Sequence, residues 1–335
     1  ISAAGLTADA RRYTALADAE LLLHGPCKKP KWNLPKLNAG FSPALISYIG
    51  SKYLKLDPLI ISAGLFQEPT FSHISIEEHS EGPSESIVNG KSMTNRRVKS
   101  ILEKAFAMGQ NITKPLLIAE CIPGGTTTAQ AVMTGMGIPV EGLVGSSIRN
   151  PPLELKKNIV QKALHKADLG DNPRPEYILA AVGDPFQVVA LGLLLGAREV
   201  NQPVLLGGGS QMLAILSLAL MTINPSKRSS FLQGVSIATT FWLAQEGQSL
   251  DKKRSSYFVK LINLIETHFN IGILAFSCGL SFHASSKKVL RDYERGYIKE
   301  GVGAGSLALL AQLNGASCSE LMNSCEKAID QLHMA

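Results

Sequence analysis

The sequence predicts an α/β protein: a parallel sheet flanked by helices in a Rossmann-like three-layer arrangement, with a small helical subdomain assembled from the two chain termini. Three observations carry this. Short apolar runs alternate with longer helix-like stretches over most of the chain, the order expected of a parallel sheet packed between helices. The runs are continuous rather than alternating in polarity, as in strands buried on both faces. Both ends of the chain are helix-like with no strand between them. The division that results is a core over residues 40–290 and a subdomain of 1–39 and 291–335 packed on it.

Each element has its own reason. TADARRYTALADAELLLHG mixes alanine, leucine and charge as a helix does. DPLIISAG is the first apolar run read as a strand, and KPLLIAE, YILAAVG, QPVLLGG and IGILAFS are the others. Between them the helical patterns are TNRRVKSILEKAFAMG, TTTAQAVMTGMG, LELKKNIVQKALHKA, PFQVVALGLLLGA, SQMLAILSLAL and SSYFVKLINLIETHF. The terminal helices are GSLALLAQLNG and ASCSELMNSCEKAIDQLHMA, the latter with Ser319 and Glu320 as its opening signal. One polar stretch, HISIEEHSEGPSESIVNGKSMTN, has a composition that fits a surface loop and a ligand-facing loop equally.

Bulk properties narrow the function. A chain of 335 residues, 45% hydrophobic, buries a large core and is not disordered. Its net charge of +6 favours anionic ligands, yet the basic residues lie in small groups (KKPK, NRRVK, LKKN, DKKR) without interleaved aromatics, so no nucleic-acid partner is expected. Cys27, Cys121, Cys278, Cys318 and Cys325 are widely spaced without a C-x-x-C pair, which indicates neither a disulfide framework nor a zinc site and fits a reducing cytoplasm. No apolar run reaches the ~20 residues of a spanning helix, so no membrane partner is expected. ISAAGLTADARR has no apolar h-region of a signal peptide. The chain begins with Ile rather than Met, leaving room for a preceding segment.

The chemistry concentrates in a few junctions. In LLIAECIPGGTTTAQAVM a strand ending at Glu120 meets Gly124 and Gly125, then Thr126 and Thr127 at a helix start. Glycines let a backbone approach a ligand, and hydroxyls beside free N–H groups cradle a phosphate. A Gly-Gly turn with a Thr cap explains the same residues, and the two readings stand side by side. No Walker A lysine follows. A second junction, VLLGGGSQ, repeats the design with Gly207, Gly208, Gly209 and Ser210. Arg149 and Lys156 or Lys157, in SIRNPPLELKK, are the nearby cations, although helix-surface lysines are more often simply solvated. Asp184 in VGDPFQ is an N-cap or a ligand-facing acid. In YIKEGVGAG, Glu300 precedes Gly301, Gly303 and Gly305: a desolvated general base, or a glutamate interacting with a helix dipole. The seven histidines show no ligand spacing, so no metal is expected, and no cofactor.

Taken together, AECIPGGTTTAQAVMTGMG, GSSIRNPPLELKKNIVQKAL, VGDPFQVVALGLLLGA, LLGGGSQMLAI and YIKEGVGAG resemble, in order and spacing, the nicotinate-nucleotide:dimethylbenzimidazole phosphoribosyltransferases, and most closely the branch found in archaea and cyanobacteria. The resemblance covers nearly the whole chain. It implies a cytoplasmic homodimeric enzyme that moves the phosphoribosyl group of nicotinate mononucleotide to a benzimidazole-type or purine base, giving an α-ribazole phosphate for the lower ligand of a cobamide. It implies Glu300 as the general base, and Glu120 as the acid before the glycine loop. Gly124, Gly125, Thr126 and Thr127 become the phosphate cradle, Lys156 the phosphate-side lysine, and Gly207–Ser210 the second nucleotide-contacting turn. The bacterial enzymes read G-E-x-G-I-G-N-T-T where this chain reads E-C-I-P-G-G-T-T-T, and the base-pocket segment has no residue-by-residue match, so the acceptor base stays open. Relatives of the branch also carry a strand before ISAAG. The alternative is a non-catalytic nucleotide- or phosphate-binding protein with a regulatory or scaffolding role. A diphosphate-dependent transferase would need a second acid beside Glu120, which is absent.

Overall fold

The computed structural model describes residues 5, 7–27, 29–248 and 255–333, so the basic group 251–254 and the stretch 1–4 lie outside the described residues. The chain opens with helices α1 (Ala8–His24), capped by the Thr7 hydroxyl, and α2 (Ala44–Leu54). Strands β1 (Ile61–Ser62) and β2 (Ile74–Ser75) pair with each other in a small parallel sheet. Helix α3 (Asn95–Gln110) leads into β3 (Leu116–Ile118), α4 (Gly125–Gly135), α5 (Leu153–Ala167), α6 (Pro175–Val182) and α7 (Pro185–Glu199). Then follow β4 (Val204–Gly207), α8 (Ser210–Thr222), α9 (Arg228–Leu232), β5 (Val235–Thr239), α10 (Phe241–Ala244), α11 (Tyr257–Phe269) and β6 (Ala275–Ser277). The chain closes with α12 (Lys288–Glu294), α13 (Ala304–Leu313) and α14 (Cys318–His333).

The main sheet is parallel, in the order β3-β4-β5-β6, with Ile118 beside Leu206, Leu206 beside Ile237 and Ile237 beside Ala275. Its core includes α4, α8 and the fully buried Leu206 and Ile237. A second core gathers α1, α2, α13 and α14 around stacked Trp242 and Phe282, whose ring centroids are 5.1 Å apart, with Tyr293 against both. The terminal helices do gather here, but the cluster also takes α2, Trp242 and Phe282 from within residues 40–290, and α13 joins it to the sheet by packing on β4 and β5.

Several expectations are corrected. YILAAVG is not a strand but most of α6, with Pro175 at its first position, Glu176 in its first turn, and Ile178–Val182 buried. An apolar run of this length reads equally as a buried helix, and proline starts one well because its missing N–H would be unpaired there anyway. VSIAT, whose serine breaks the apolar run, is the strand β5 that the sequence pattern missed, and it pairs on both sides. DPLIISAG supplies only β1, outside the main sheet. At the opposite edge β6 is buried on neither face, with Leu274 and Phe276 exposed. The final helix is capped two residues early: Ser317 Oγ accepts from Glu320 N–H while Glu320 accepts from Ser317 N–H.

Candidate active site

Parallel strands aim the helix N-termini that follow them at one edge, and here α4, α8 and α13 converge there. Gly124 (φ +87) turns the chain left-handed after β3, so it is Gly124, not a threonine, that caps α4. Gly125 packs closely on α8: a Cβ there would lie 2.3 Å from Gln211 Nε2, so a larger residue would require that amide to move. Gly209 and Ser210 open α8, while Gly207 and Gly208 lie behind it, buried, with Gly207 against Ser306. Gly303 caps α13 at φ +71 and packs on Ala119.

The convergence encloses a cleft of about 520 Å³, lined by Glu120, Gly124–Thr126, Gly209–Gln211 and Lys299–Val302. A larger, mainly apolar cavity of about 1420 Å³ adjoins it and shares Glu120 and Gly124. Residues 83–88, from the polar stretch whose role the composition left open, line this second cavity, as do Thr127 and Asp184. Thr127 is 4% exposed and its hydroxyl has no partner, so it is not a cap.

The carboxyls of the site differ in their surroundings. Glu300 receives four hydrogen bonds: Thr239 Oγ1 at 3.0 Å and Thr240 N at 2.6 Å donate to Oε2, Gly301 N at 3.0 Å and Gly305 N at 3.2 Å to Oε1. Burial pushes its pKa up while these four donors pull it down. Gly305 N–H belongs to the first turn of α13, so Glu300 does interact with that helix start, and its carboxyl also lines the cleft. Glu120 accepts only from Ile122 N, at 2.5 Å. Burial, together with the negative charges of Asp184, Glu300 and Asp18, pushes it up to about 8 against that hydrogen bond. Asp184 caps α7 in a capping box with Gln187 and also lines the larger cavity, and burial raises it to about 6. Asp18 of α1, which receives the Ser42 hydroxyl at 2.5 Å, is raised to about 7 by burial and lines the cleft.

Of the candidate cations, Lys156 is fully buried and its Nζ donates to Gly145 O at 2.7 Å, Val144 O at 2.8 Å and Thr126 Oγ1 at 3.3 Å. Three acceptors match the three N–H groups of an ammonium, although burial pulls its pKa down to about 7. Lys157 instead reaches outward to Glu141 at 2.7 Å. Arg149 is exposed beside Gly296 and lines neither cavity.

Sequence reasoning missed Asp18, Gln211, Thr239, Thr240, Glu246 and Lys299. Lys299 stands next to Glu300 and was within reach of inspection; the others carry no local signal. Lys299 pairs with Glu246 at 2.6 Å, both largely buried. The turn holding Lys299 and Glu300 is strained, with Ile298, Lys299 and Val302 at φ +67, +65 and +55. Each such residue costs about 1–3 kcal/mol, and such strain clusters at functional sites.

Comparison with known proteins identifies the family and the fold. A phosphoribosyltransferase family model matches residues 52–237. The UPF0284 protein of Prochlorococcus marinus (strain MIT 9313) is 49% identical over 332 residues, covering 99% of this chain and 82% of that one. A UPF0284 protein of Parasynechococcus marenigrum (strain WH8102) is 47% identical, with 99% and 83% covered. The fold is similar to that of the nicotinate-nucleotide-dimethylbenzimidazole phosphoribosyltransferase from Thermus thermophilus, with a TM-score of 0.50 at 16% identity over 87% of this chain and 72% of that one. A second structure, CobT from the same organism, gives 0.51 at 16% identity, with 89% and 79% covered. Among the described residues no helix is long and apolar enough to cross a membrane. By the family match and by its identity to the UPF0284 proteins along nearly its whole length, the chain belongs to the phosphoribosyltransferase family.

Proposed function

We propose that the protein transfers the phosphoribosyl group of nicotinate mononucleotide to a benzimidazole-type or purine base, releasing nicotinate and forming an α-ribazole phosphate or its analogue for a cobamide lower ligand. The observation that carries this reading is the meeting, in one cleft, of an anion cradle and acidic side chains: Gly124–Thr126 at the start of α4, with the buried Lys156 bonded to Thr126 from behind, and Glu120 and Glu300 on the same lining. The cradle suits the nucleotide phosphate. As the bond from ribose C1′ to the nicotinate nitrogen breaks, positive charge develops on the ribose, and whichever of Glu120 and Glu300 is ionised favours it. The base nitrogen then bonds to C1′ and its proton passes to a carboxylate. We take residues 40–290 as the transferase core, with the terminal helices carrying Glu300 over the cleft.

Glu300 is the proton acceptor in the first reading, because the resemblance places the general base in KEGVGAG. One observation favours Glu120 instead. All four donors to Glu300 occupy its lone-pair positions, whereas Glu120 has a single donor and open positions in the cleft.

The experiment is nicotinate release from nicotinate mononucleotide with dimethylbenzimidazole, benzimidazole or adenine, for wild type, Glu300→Gln and Glu120→Gln. Release that needs an added base supports the transferase and identifies its acceptor, and the variant that loses turnover while keeping nucleotide affinity identifies the proton acceptor. No release with any base, alongside saturable nucleotide binding, would replace this reading with the non-catalytic binding protein.

A further inference from the structure

We infer that Lys299 is a phosphate-binding cation of the cleft, with Glu246 as its built-in counter-ion. This deepens the proposed function by adding a specificity-determining residue to the same site.

The argument begins with burial. Lys299 is 4% exposed yet lines the cleft, and its Nζ donates to Glu246 Oε1 at 2.6 Å and Ile148 O at 3.4 Å. An ammonium has three N–H groups, so one is left for a ligand. A lysine buried this deeply keeps its charge only beside an anion, which is Glu246 here and can equally be a phosphate bound at the remaining N–H. Glu246 itself is pressed against the backbone: a Cβ on Gly145 would lie 2.6 Å from its Oε1.

The two lysines share one frame. The segment 144–148 offers the Val144 and Gly145 carbonyls to Lys156 and the Ile148 carbonyl to Lys299, and its Ser147 carbonyl accepts from Ile298 N at 2.8 Å. Both ammoniums therefore hang from the same short stretch that lines the cleft, and each feels the other, since Lys299 disfavours and Glu246 favours the charge on Lys156. A phosphate monoester at Thr126 carries up to two negative charges; Lys156, with its three N–H groups already taken, supports that charge only through Thr126, whereas Lys299 has an N–H to offer it.

The backbone supports a functional rather than a merely adhesive pair. Ile298 and Lys299 are both left-handed, and Ile298 is β-branched, a type that strongly disfavours this conformation. An ion pair serving only to tie two segments together does not require a strained turn. One that must aim an ammonium and the adjacent Glu300 into the same cleft does.

The test is calorimetric binding of nicotinate mononucleotide, ribose 5-phosphate and the phosphate-free nicotinate riboside to wild type, Lys299→Met, Glu246→Gln and the double variant Lys299→Met/Glu246→Gln. Lys299→Met should weaken the two phosphorylated ligands at least tenfold and leave the riboside unchanged. Glu246→Gln, which frees the lysine, should bind them as tightly as wild type or more tightly. The double variant, which leaves no buried charge unpaired, should repeat the phosphate-specific loss if Lys299→Met alone fails to fold. Equal weakening of all three ligands, equal weakening by both single variants, or no binding of either phosphorylated compound by wild type would overturn the inference. Lys299-dependent phosphate selectivity without nicotinate release would leave it standing and remove the transferase reading; nicotinate release indifferent to Lys299 would do the reverse.

Discussion

Replacing Glu120 by Gln is expected to stabilise the ligand-free protein above about pH 8 and to change little near pH 4. Burial raises this carboxyl from its ordinary 4.5 to about 8. Between those values the folded protein holds a proton that the unfolded chain has already released, so stability falls as pH rises through this window. At about 1.4 kcal/mol per pH unit, the full displacement corresponds to about 5 kcal/mol. Asp18 and Asp184, raised to about 7 and about 6, lose their protons in the same window. Asp184 and Asp18 both repel Glu120, so its titration is coupled to theirs and a single substitution recovers only part, about 2–5 kcal/mol. Below about pH 4 the acid is neutral in both states and glutamine is nearly isosteric with it. Urea unfolding of both proteins at about pH 4, 6 and 8.5 measures the effect, with the wild type losing stability more steeply. Parallel curves, within about 1 kcal/mol across the range, would refute the idea that desolvation governs this carboxyl.

Other substitutions probe the frame of the site. Gly305→Ala places a Cβ 2.0 Å from the Thr239 carbonyl carbon and 2.2 Å from Thr240 N. It should push α13 off β5, disturb the Glu300 bonds and cost about 2–4 kcal/mol in urea unfolding; a change below about 0.5 kcal/mol would contradict the close approach. Lys156→Met should weaken nicotinate mononucleotide at least about tenfold, a loss of about 1.4 kcal/mol, with unchanged affinity in calorimetry as the contrary result. Glu77→Gln breaks the two-pronged pair with Arg97, at 2.7 and 2.8 Å and both side chains under a tenth exposed. Because it strands a buried guanidinium, it should cost about 3–5 kcal/mol, and a melting temperature equal to the wild type's would argue against burial of that pair.

Where the signal was local, the sequence was legible. KPLLIAE and QPVLLGG are continuous apolar runs cut off by glycine or a loop, and they are β3 and β4; LELKKNIVQKALHKA coincides with α5. The glycine junctions could be read because the left-handed backbone at Gly124 and the close packing at Gly125 are what glycine itself permits. YILAAVG misled because an apolar run of that length carries no period that separates strand from helix, and only its burial within the helical layer decides the matter.

The chemistry of the site lies on the other side of that line. The sequence by itself determined the residue types at the strand ends: an acid at 120, an acid at 300, a lysine at 156 and the glycines that let helices begin there. Tertiary structure alone decided that Glu300 would add two donors from 60 and 61 residues away to its two local ones, that Glu120 would keep open lone pairs, that Lys156 rather than Lys157 would turn inward, and that Lys299 would meet Glu246 across 53 residues. The physical reason is that a side chain's protonation and reach depend on how much water it loses and which dipoles replace that water, and both are set by atoms brought from distant parts of the chain.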